Sequence, residues 1–256
     1  MKPPHILGII PARFASSRFP GKILAPIAGK SMIQHTFENA SRCPLLDNLI
    51  VATDDARIYG HVESFGGRVC YTSPECSTGT DRIAEALQKN INSDLSTAEI
   101  IVNIQGDVPF INPHLLEKVI KALQESPDAV MSTAVTPLQP GEESSSSVVK
   151  CVLDLQSYAL YFSRACIPGG HTLRVQSGAP YYKHIGLYCF RRNFLLQYTR
   201  LPPTPLQLAE DLEQLKILEH GFRIKVAIVD EHPIGVDLPE DIHKVETWLC
   251  KQNISL

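Results

Sequence analysis

Three short segments carry residues whose types and spacing suit work on phosphate. The first, residues 9–22, reads IIPARFASSRFPGK and offers Arg13, Arg18 and Lys22 as cations and Ser16 and Ser17 as hydroxyls. Arginine can grip a phosphate with two parallel N–H bonds, and lysine supplies a point charge. Neither the GxxxxGK[ST] phosphate loop nor the GxGxxG dinucleotide turn is present. At this level a solvated basic loop remains open. The second segment, VNIQGDVP at 102–109, ends a strand-like run in a polar turn with Asp107. Such a carboxylate can hold Mg²⁺, which takes one or two carboxylates and fills its shell with water and phosphate. A turn-capping aspartate is the alternative. The third, GVDLPED at 235–241, sets Asp237 just ahead of a helix, as a second metal carboxylate or as a helix-start acid.

Positioning these groups requires strands and helices in alternation. Apolar runs at 6–10, 49–52, 100–104, 130–135 and 224–229 are continuous and rich in β-branched residues, as in parallel strands buried on both faces. Between them, Ser31 can cap a helix carrying Met32, Ile33, Phe37 and Ala40. Asn112-Pro113 opens another with Leu116, Val119, Ile120 and Leu123 on one face. Thr204-Pro205 opens a third, with Leu208, Leu212, Leu215 and Leu218 expected inward and a stop near Gly221. This alternation predicts a three-layer α/β fold with right-handed crossovers, in which ligands bind at the carboxyl ends of strands. The first segment lies at such an end. The rhythm breaks at about 137–190. There a polar loop (141–147), alternating segments (148–153 and 158–163), a Gly- and Pro-rich loop (168–180) and a further strand (184–190) predict a β-rich insertion on one domain spanning 1–256. An unpaired strand edge in it invites a second chain.

The 256 residues include 24 Lys+Arg and 27 Asp+Glu, a formal net charge of −3, with 44% hydrophobic and 20% charged residues. These values exclude collagen-like, coiled-coil and wholly disordered chains. The charge balance argues against a nucleic-acid binder, which needs excess Lys and Arg. No apolar run nears the roughly 20 residues of a membrane helix, so membrane insertion is not expected. The opening MKPPHILGIIPAR is too short in its apolar part for a signal peptide. Seven scattered cysteines without a CxxC pair read as reduced thiols, and a cytoplasmic location is expected.

The segments IIPARFASSRFPGKILAPIAGKSMIQH, VATDD, STGTDRIAEA, VNIQGDVP, YALYFSRACIP, HIGLYCF, PLQLAEDLEQLKIL and GVDLPED follow one another over nearly the whole chain. In this ordered set the sequence resembles the sugar-activating nucleotidyltransferases, and among them the 3-deoxy-manno-octulosonate (Kdo) cytidylyltransferases. The resemblance implies a three-layer α/β/α nucleotidyltransferase fold, Rossmann-like, with a mixed, mostly parallel sheet and a β-rich insertion that pairs two copies into a homodimer. It implies that CTP and Kdo give CMP-Kdo and pyrophosphate for lipopolysaccharide biosynthesis, with Mg²⁺ as cofactor. The anomeric hydroxyl of Kdo attacks the α-phosphorus of CTP, a transfer that asks the protein for positioning and charge rather than covalent chemistry.

By the same resemblance, Lys22, Arg13, Asp107 and Asp237 form the catalytic set, and Asp107 and Asp237 hold the metal. Arg13, Ser16, Arg18 and Lys22 take the triphosphate. Ala52, Thr53, Asp54, Thr78, Gly79, Arg82 and Gln105 lie near the nucleoside, with an Arg82 ion pair as the alternative for that residue. Gln105, Arg164, His184, Tyr188, Glu210 and Gln214 surround the sugar acid, Arg164 facing its carboxylate. Four residues apart, Glu210 and Gln214 are expected to share one helix face away from Leu212 and Leu215. Two departures stand out: Val108 occupies a position that usually holds Glu in this family, and Gln207 one that often does. A nucleotidyltransferase for another sugar or base, and a nucleotide-binding regulator without catalysis, are the competing readings. Retention of Lys22, Asp107 and Asp237 argues against the regulator.

Overall fold

In a computed structural model that describes residues 4–16, 18–89, 94–169 and 180–251, the chain opens with β1 (Ile6–Ala12), a 3-10 turn at Lys22–Leu24 and the hairpin β2 (Pro26–Ile27) and β3 (Lys30–Ser31). There follow α1 (Met32–Ala40), β4 (Asn48–Thr53), α2 (Ala56–Ser64), β5 (Val69–Tyr71), α3 (Gly79–Lys89), β6 (Ile100–Asn103) and α4 (Pro113–Gln124). The next elements are β7 (Ala129–Pro137), β8 (Lys150–Leu153), β9 (Ala159–Ser163), β10 (Tyr182–Arg191), α5 (Arg192–Tyr198), α6 (Pro205–Glu210), α7 (Glu213–Glu219) and β11 (Arg223–Ile228), and α8 (Pro239–Lys251) closes the series. Two units divide the chain, Met1–Glu117 with Pro233–Leu256 and Lys118–His232.

In the first unit the strands lie in the order β6-β1-β4-β5, all parallel. The apolar runs explain this: Leu7, Ile9, Ile10, Val51, Ala52, Ile101 and Val102 are wholly buried, as two-sided covering demands. Caps set the helix starts. Ser31 accepts a hydrogen bond from the Gln34 N–H at 3.2 Å, and Asp55 accepts one from the Arg57 N–H at 2.9 Å. Thr78 and Asp81 cap α3 reciprocally: each backbone N–H reaches the other's side chain, at 3.1 and 3.0 Å. A buried cluster of Ile27, Met32, Val236, Val245 and Leu249 fixes the hairpin and α8, and with them the residues just before that helix.

In the second unit β11 runs parallel to β7, and β10 runs antiparallel to β7. Strands β8 and β9 form an antiparallel arm, β8 also pairing with the first residues of β10. The loop expected at 168–180 lies, over 170–179, outside the described residues. The single helix expected after Thr204-Pro205 is two: α6 ends where Asp211 takes a left-handed conformation (φ 52°), and α7 starts anew. In consequence Leu208 is exposed instead of inward, and Glu210 and Gln214 do not share a helix face. Gln207 completes the α6 capping box by accepting from the Thr204 N–H, a role open to Glu and Gln alike.

Candidate active site

Within the first unit, the carboxyl ends of β1 and β6 open onto a cavity of about 280 Å³. Its walls come from four segments: Pro11 to Lys22 after β1, Cys76 to Arg82 at the start of α3, Gln105 to Asp107 after β6, and Asp237 before α8. This is where an open parallel sheet binds ligands, because the loops there leave a crevice between strand ends and helix starts. Four cationic side chains (Arg13, Arg18, Lys22, Arg82) and two carboxylates (Asp107, Asp237) line it.

Lys22 is the hub. Its Nζ donates to Asp107 Oδ2 at 2.6 Å, to the Val236 carbonyl at 3.1 Å and to Asp237 Oδ1 at 3.4 Å. Its side chain is 13% exposed, against 31% for Asp107 and 52% for Asp237. Arg18 donates to the same Asp237 oxygen at 2.8 Å. The backbone supports the arrangement, since the Val236 N–H bonds the Asp107 carbonyl at 2.9 Å and ties the two carboxylate-bearing turns together. Asp241 accepts from the N–H groups of Asp237 and Leu238, at 3.0 and 2.9 Å, and fixes the turn at the start of α8. Gly106 suits its place because a Cβ there would stand 3.1 Å from Ile23 Cδ1, while its carbonyl accepts from Thr36 Oγ1.

Two carboxylates on facing turns, open to solvent on one side, match what Mg²⁺ takes from a protein when phosphate and water supply its other ligands. Among the described residues no group of three or more His, Cys, Asp or Glu could enclose a metal by itself. The set therefore fits a metal shared with a phosphate substrate.

Of the residues expected near the nucleotide, Arg13, Ser16, Arg18, Lys22, Thr78, Gly79, Arg82 and Gln105 line the cavity. Ala52, Thr53 and Asp54 lie outside the lining. Thr53 is buried under the turn, its Oγ1 accepting from the Asp55 N–H, and Asp54 pairs with Arg82 at 2.9 Å. Arg82, with a side chain 4% exposed, also donates to Thr72 Oγ1 at 2.5 Å, so its guanidinium presents a fixed charge to the cavity. Sequence reasoning named neither Ser77, the first residue of the STGTDRIAEA segment, nor Cys76 before it as a site residue. The Cys76 thiol donates to Glu85 at 2.9 Å, and burial together with that carboxylate pushes its pKa up to about 11. Cys76 is therefore a protonated lining group and not a nucleophile. Val108 does not line the cavity.

The other expected residues fall in the second unit. His184 sits between the rings of Phe162 and Tyr188, and burial pushes its pKa down to about 3. Its Nε2 lies 2.9 Å from Thr133 Oγ1, whose one proton is directed to the carbonyls of Leu187 and Ile185. With that proton assigned to the nearer carbonyl, Nε2–H donates to Oγ1 and Nδ1 is the acceptor. Tyr188 donates to Gln214 Oε1 at 3.3 Å. Gln214 is 2% exposed, yet its Nε2 is a buried donor with no hydrogen-bond partner among the described residues. Native proteins rarely leave a buried amide in that state without a water, an ion or a ligand to receive it.

Arg164 and Glu210 are occupied with the protein's own groups. Arg164 donates Nε to the Glu210 carbonyl, Nη1 to the Ser146 carbonyl and Nη2 to the Asp211 carbonyl, at 2.8, 3.2 and 3.3 Å. Glu210 accepts from Ser163 Oγ and the Arg164 N–H, at 2.6 and 2.9 Å. Burial acts to raise the Glu210 pKa, but these bonds, with Tyr161 and the Arg164 charge, leave it below the usual range. A guanidinium has five N–H donors, so two on Arg164 remain for a further partner.

A family model described as cytidylyltransferase matches residues 7–226. The chain is 58% identical over 253 residues to the 3-deoxy-manno-octulosonate cytidylyltransferase of Protochlamydia amoebophila, covering 98% of this chain and 97% of that protein. It is 48% identical over 251 residues to the mitochondrial 3-deoxy-manno-octulosonate cytidylyltransferase of Arabidopsis thaliana, covering 98% and 85%. Its structure is similar to that of a CMP:2-keto-3-deoxy-manno-octonic acid synthetase complexed with CTP, with a TM-score of 0.90, 36% identity and coverage of 97% and 99%.

Proposed function

The chain belongs to the cytidylyltransferase family, among the 3-deoxy-manno-octulosonate cytidylyltransferases, and from that premise we propose that it transfers the cytidylyl group of CTP to Kdo, releasing pyrophosphate and CMP-Kdo. The observation that carries this reading is the Lys22 ammonium held between Asp107 and Asp237 in a cavity with three further arginines. Such a set fits a triphosphate sharing a divalent cation with the protein.

Arg13, Ser16, Arg18 and Lys22 hold and neutralise the triphosphate, and the first turn of α3 adds the partial positive charge of a helix start. Lys22 acts most strongly as negative charge builds on the departing pyrophosphate. Asp107 and Asp237 would hold Mg²⁺, which supplies Lewis-acid charge at the reacting phosphate when bound. Thr78, Gly79 and Gln105 take the nucleoside side of the cavity, and Asp54 serves by fixing Arg82. In the second unit, Gln214, Tyr188 and the neutral His184 offer a donor, a hydroxyl and an acceptor to a polyhydroxylated acid. Arg164 keeps two N–H donors for its carboxylate, with Glu210 holding that arginine in place.

The product is an activated sugar acid of the kind consumed in building lipopolysaccharide. Strand β9 pairs on one side with β8 and presents Leu160 at 61% exposure, which supports a homodimer through the arm. Among the described residues no helix is long and apolar enough to cross a membrane; the scattered cysteines without a CxxC pair support a cytoplasmic location. Pyrophosphate release with each nucleoside triphosphate, paired with Kdo or with sialic acid, tests the reading. CTP with Kdo should exceed every other pair by at least about a hundredfold, a floor below the roughly 10⁴-fold that a site built to hydrogen-bond its substrate can reach. Comparable rates with UTP or with sialic acid would overturn it.

A further inference from the structure

Two aromatic side chains in the 13–22 loop stand on either side of Arg18. Phe19, at one end, packs on the buried cluster of Ile27, Met32, Val236, Val245 and Leu249. Phe14, at the other, is held from two sides. Its ring lies against Gly21, where a Cβ would come within 2.9 Å of it, and its carbonyl accepts from the Gly21 N–H at 2.9 Å. Over the ring stands the guanidinium carbon of Arg57, 3.3 Å from the centroid. Arg57 is itself clamped by Asp55 at the start of α2, Nε to Oδ1 at 3.0 Å and Nη2 to Oδ2 at 2.6 Å. It lines no part of the cavity, and its side chain is 60% exposed.

Resting on the CTP reading above, we propose that Arg57 is a positioning residue for the triphosphate loop, acting through the stacked ring of Phe14. Gly21 immediately precedes Lys22, and its left-handed conformation (φ 73°) directs the chain into the turn that carries that lysine. The ring thus links a fixed arginine on α2 to the backbone that places Lys22. Ala15 and Arg18 between the two aromatic anchors, and Arg13 just before the first, are exposed, so little buried surface holds the loop closed. Segments of this kind open at low cost. A cation stacked on a ring at an exposed site shifts such an equilibrium by about two- to fivefold. A triphosphate that binds only the closed loop loses apparent affinity by up to that factor, reached in full where the open loop predominates. Arg57 touches neither substrate, so the loss falls on CTP binding and not on turnover.

The test uses the full chain with Arg57→Ala, Phe14→Leu, the double variant, Arg57→Lys and Phe14→Tyr. With CTP and Kdo varied in turn at saturating Mg²⁺, each disruptive single variant should raise the CTP KM, by up to about fivefold, and leave kcat and the Kdo KM unchanged. The double variant should be no worse than the worse single one, because both remove the same contact. Arg57→Lys should recover part of the loss, and Phe14→Tyr most of it. Without substrate, amide exchange across 13–22 should quicken in both disruptive variants. That measurement needs no activity, so a wild-type protein that made no CMP-Kdo would count against the reaction and leave the clamp to be judged by exchange. Unchanged CTP KM and exchange in both single variants would overturn the proposal. So would additive effects in the double variant, or equal losses on both substrates with a lowered Tm.

Discussion

Replacing Gln214 by methionine separates what the folded chain wants from what its ligand wants. The Gln214 side chain is 2% exposed, and its Nε2 has no partner among the described residues. An unsatisfied buried amide costs about 1–3 kcal/mol. Methionine has a similar length and no donor, so it removes that cost. It also removes the acceptor of the buried Tyr188 hydroxyl, 3.3 Å away. That leaves a second buried polar group unsatisfied, at a cost again of about 1–3 kcal/mol. The two costs are of one size and offset each other, so the ligand-free variant should be about as stable as the wild type, with Tm changed by no more than about 2–4 °C at this chain length. The Kdo KM should rise about two- to tenfold through loss of one neutral hydrogen bond, and the CTP KM should hold. Calorimetry without ligand and steady-state kinetics read both effects. A Tm several degrees lower with an unchanged Kdo KM would refute the reasoning, because it would mean that the amide works for the fold alone.

Asp107→Asn and Asp237→Asn should each fold normally and lose two orders of magnitude or more in turnover, the scale set by several kcal/mol of metal-borne charge stabilisation. Circular dichroism and a Mg²⁺ titration of the rate check this, and near-normal turnover in both would remove the metal assignment. Because burial sets the His184 pKa at about 3, below its ordinary 6.5, stability is full above that ordinary value and is lost as pH falls toward 3. Urea midpoints between pH 7 and 5 should show a slope of at most about 1.4 kcal/mol per pH unit, which His184→Gln flattens; an equal slope in the variant would contradict the assignment. Leu160→Glu should halve the sedimenting mass at micromolar concentration if the arm joins two copies, and a wild type that sediments as a monomer would end that proposal.

The strands around the cavity are legible in the sequence because continuous β-branched runs have few other homes. The short edge strand Val69–Tyr71 is not, since three residues give no period to read. The break at Asp211 is hidden for another reason. A single left-handed residue leaves the leucine spacing intact, so the pattern reads through it, and only the exposure of Leu208 reveals that the face has turned. The phosphate-handling residues are legible as types, with Arg13, Arg18 and Lys22 crowded into one loop and Asp107 and Asp237 on strand-end turns. How they share charge is not. Asp54 appears as a nucleoside contact in the sequence, whereas the fold commits it to Arg82. Arg164 appears as a free fork, whereas three of its donors serve backbone carbonyls. The stacking of Arg57 on Phe14 joins segments that no local pattern connects.

The central claim is that this chain moves the α-phosphorus of CTP onto Kdo. Single-turnover reaction with CTP labelled at the α-phosphate, in one experiment, and at the γ-phosphate, in another, tests it most directly. The α-label should appear wholly in a CMP–sugar adduct that forms only with Kdo present, and the γ-label wholly in pyrophosphate. Release of the γ-label as orthophosphate, or of the α-label as free CMP at the same rate without Kdo, would contradict it.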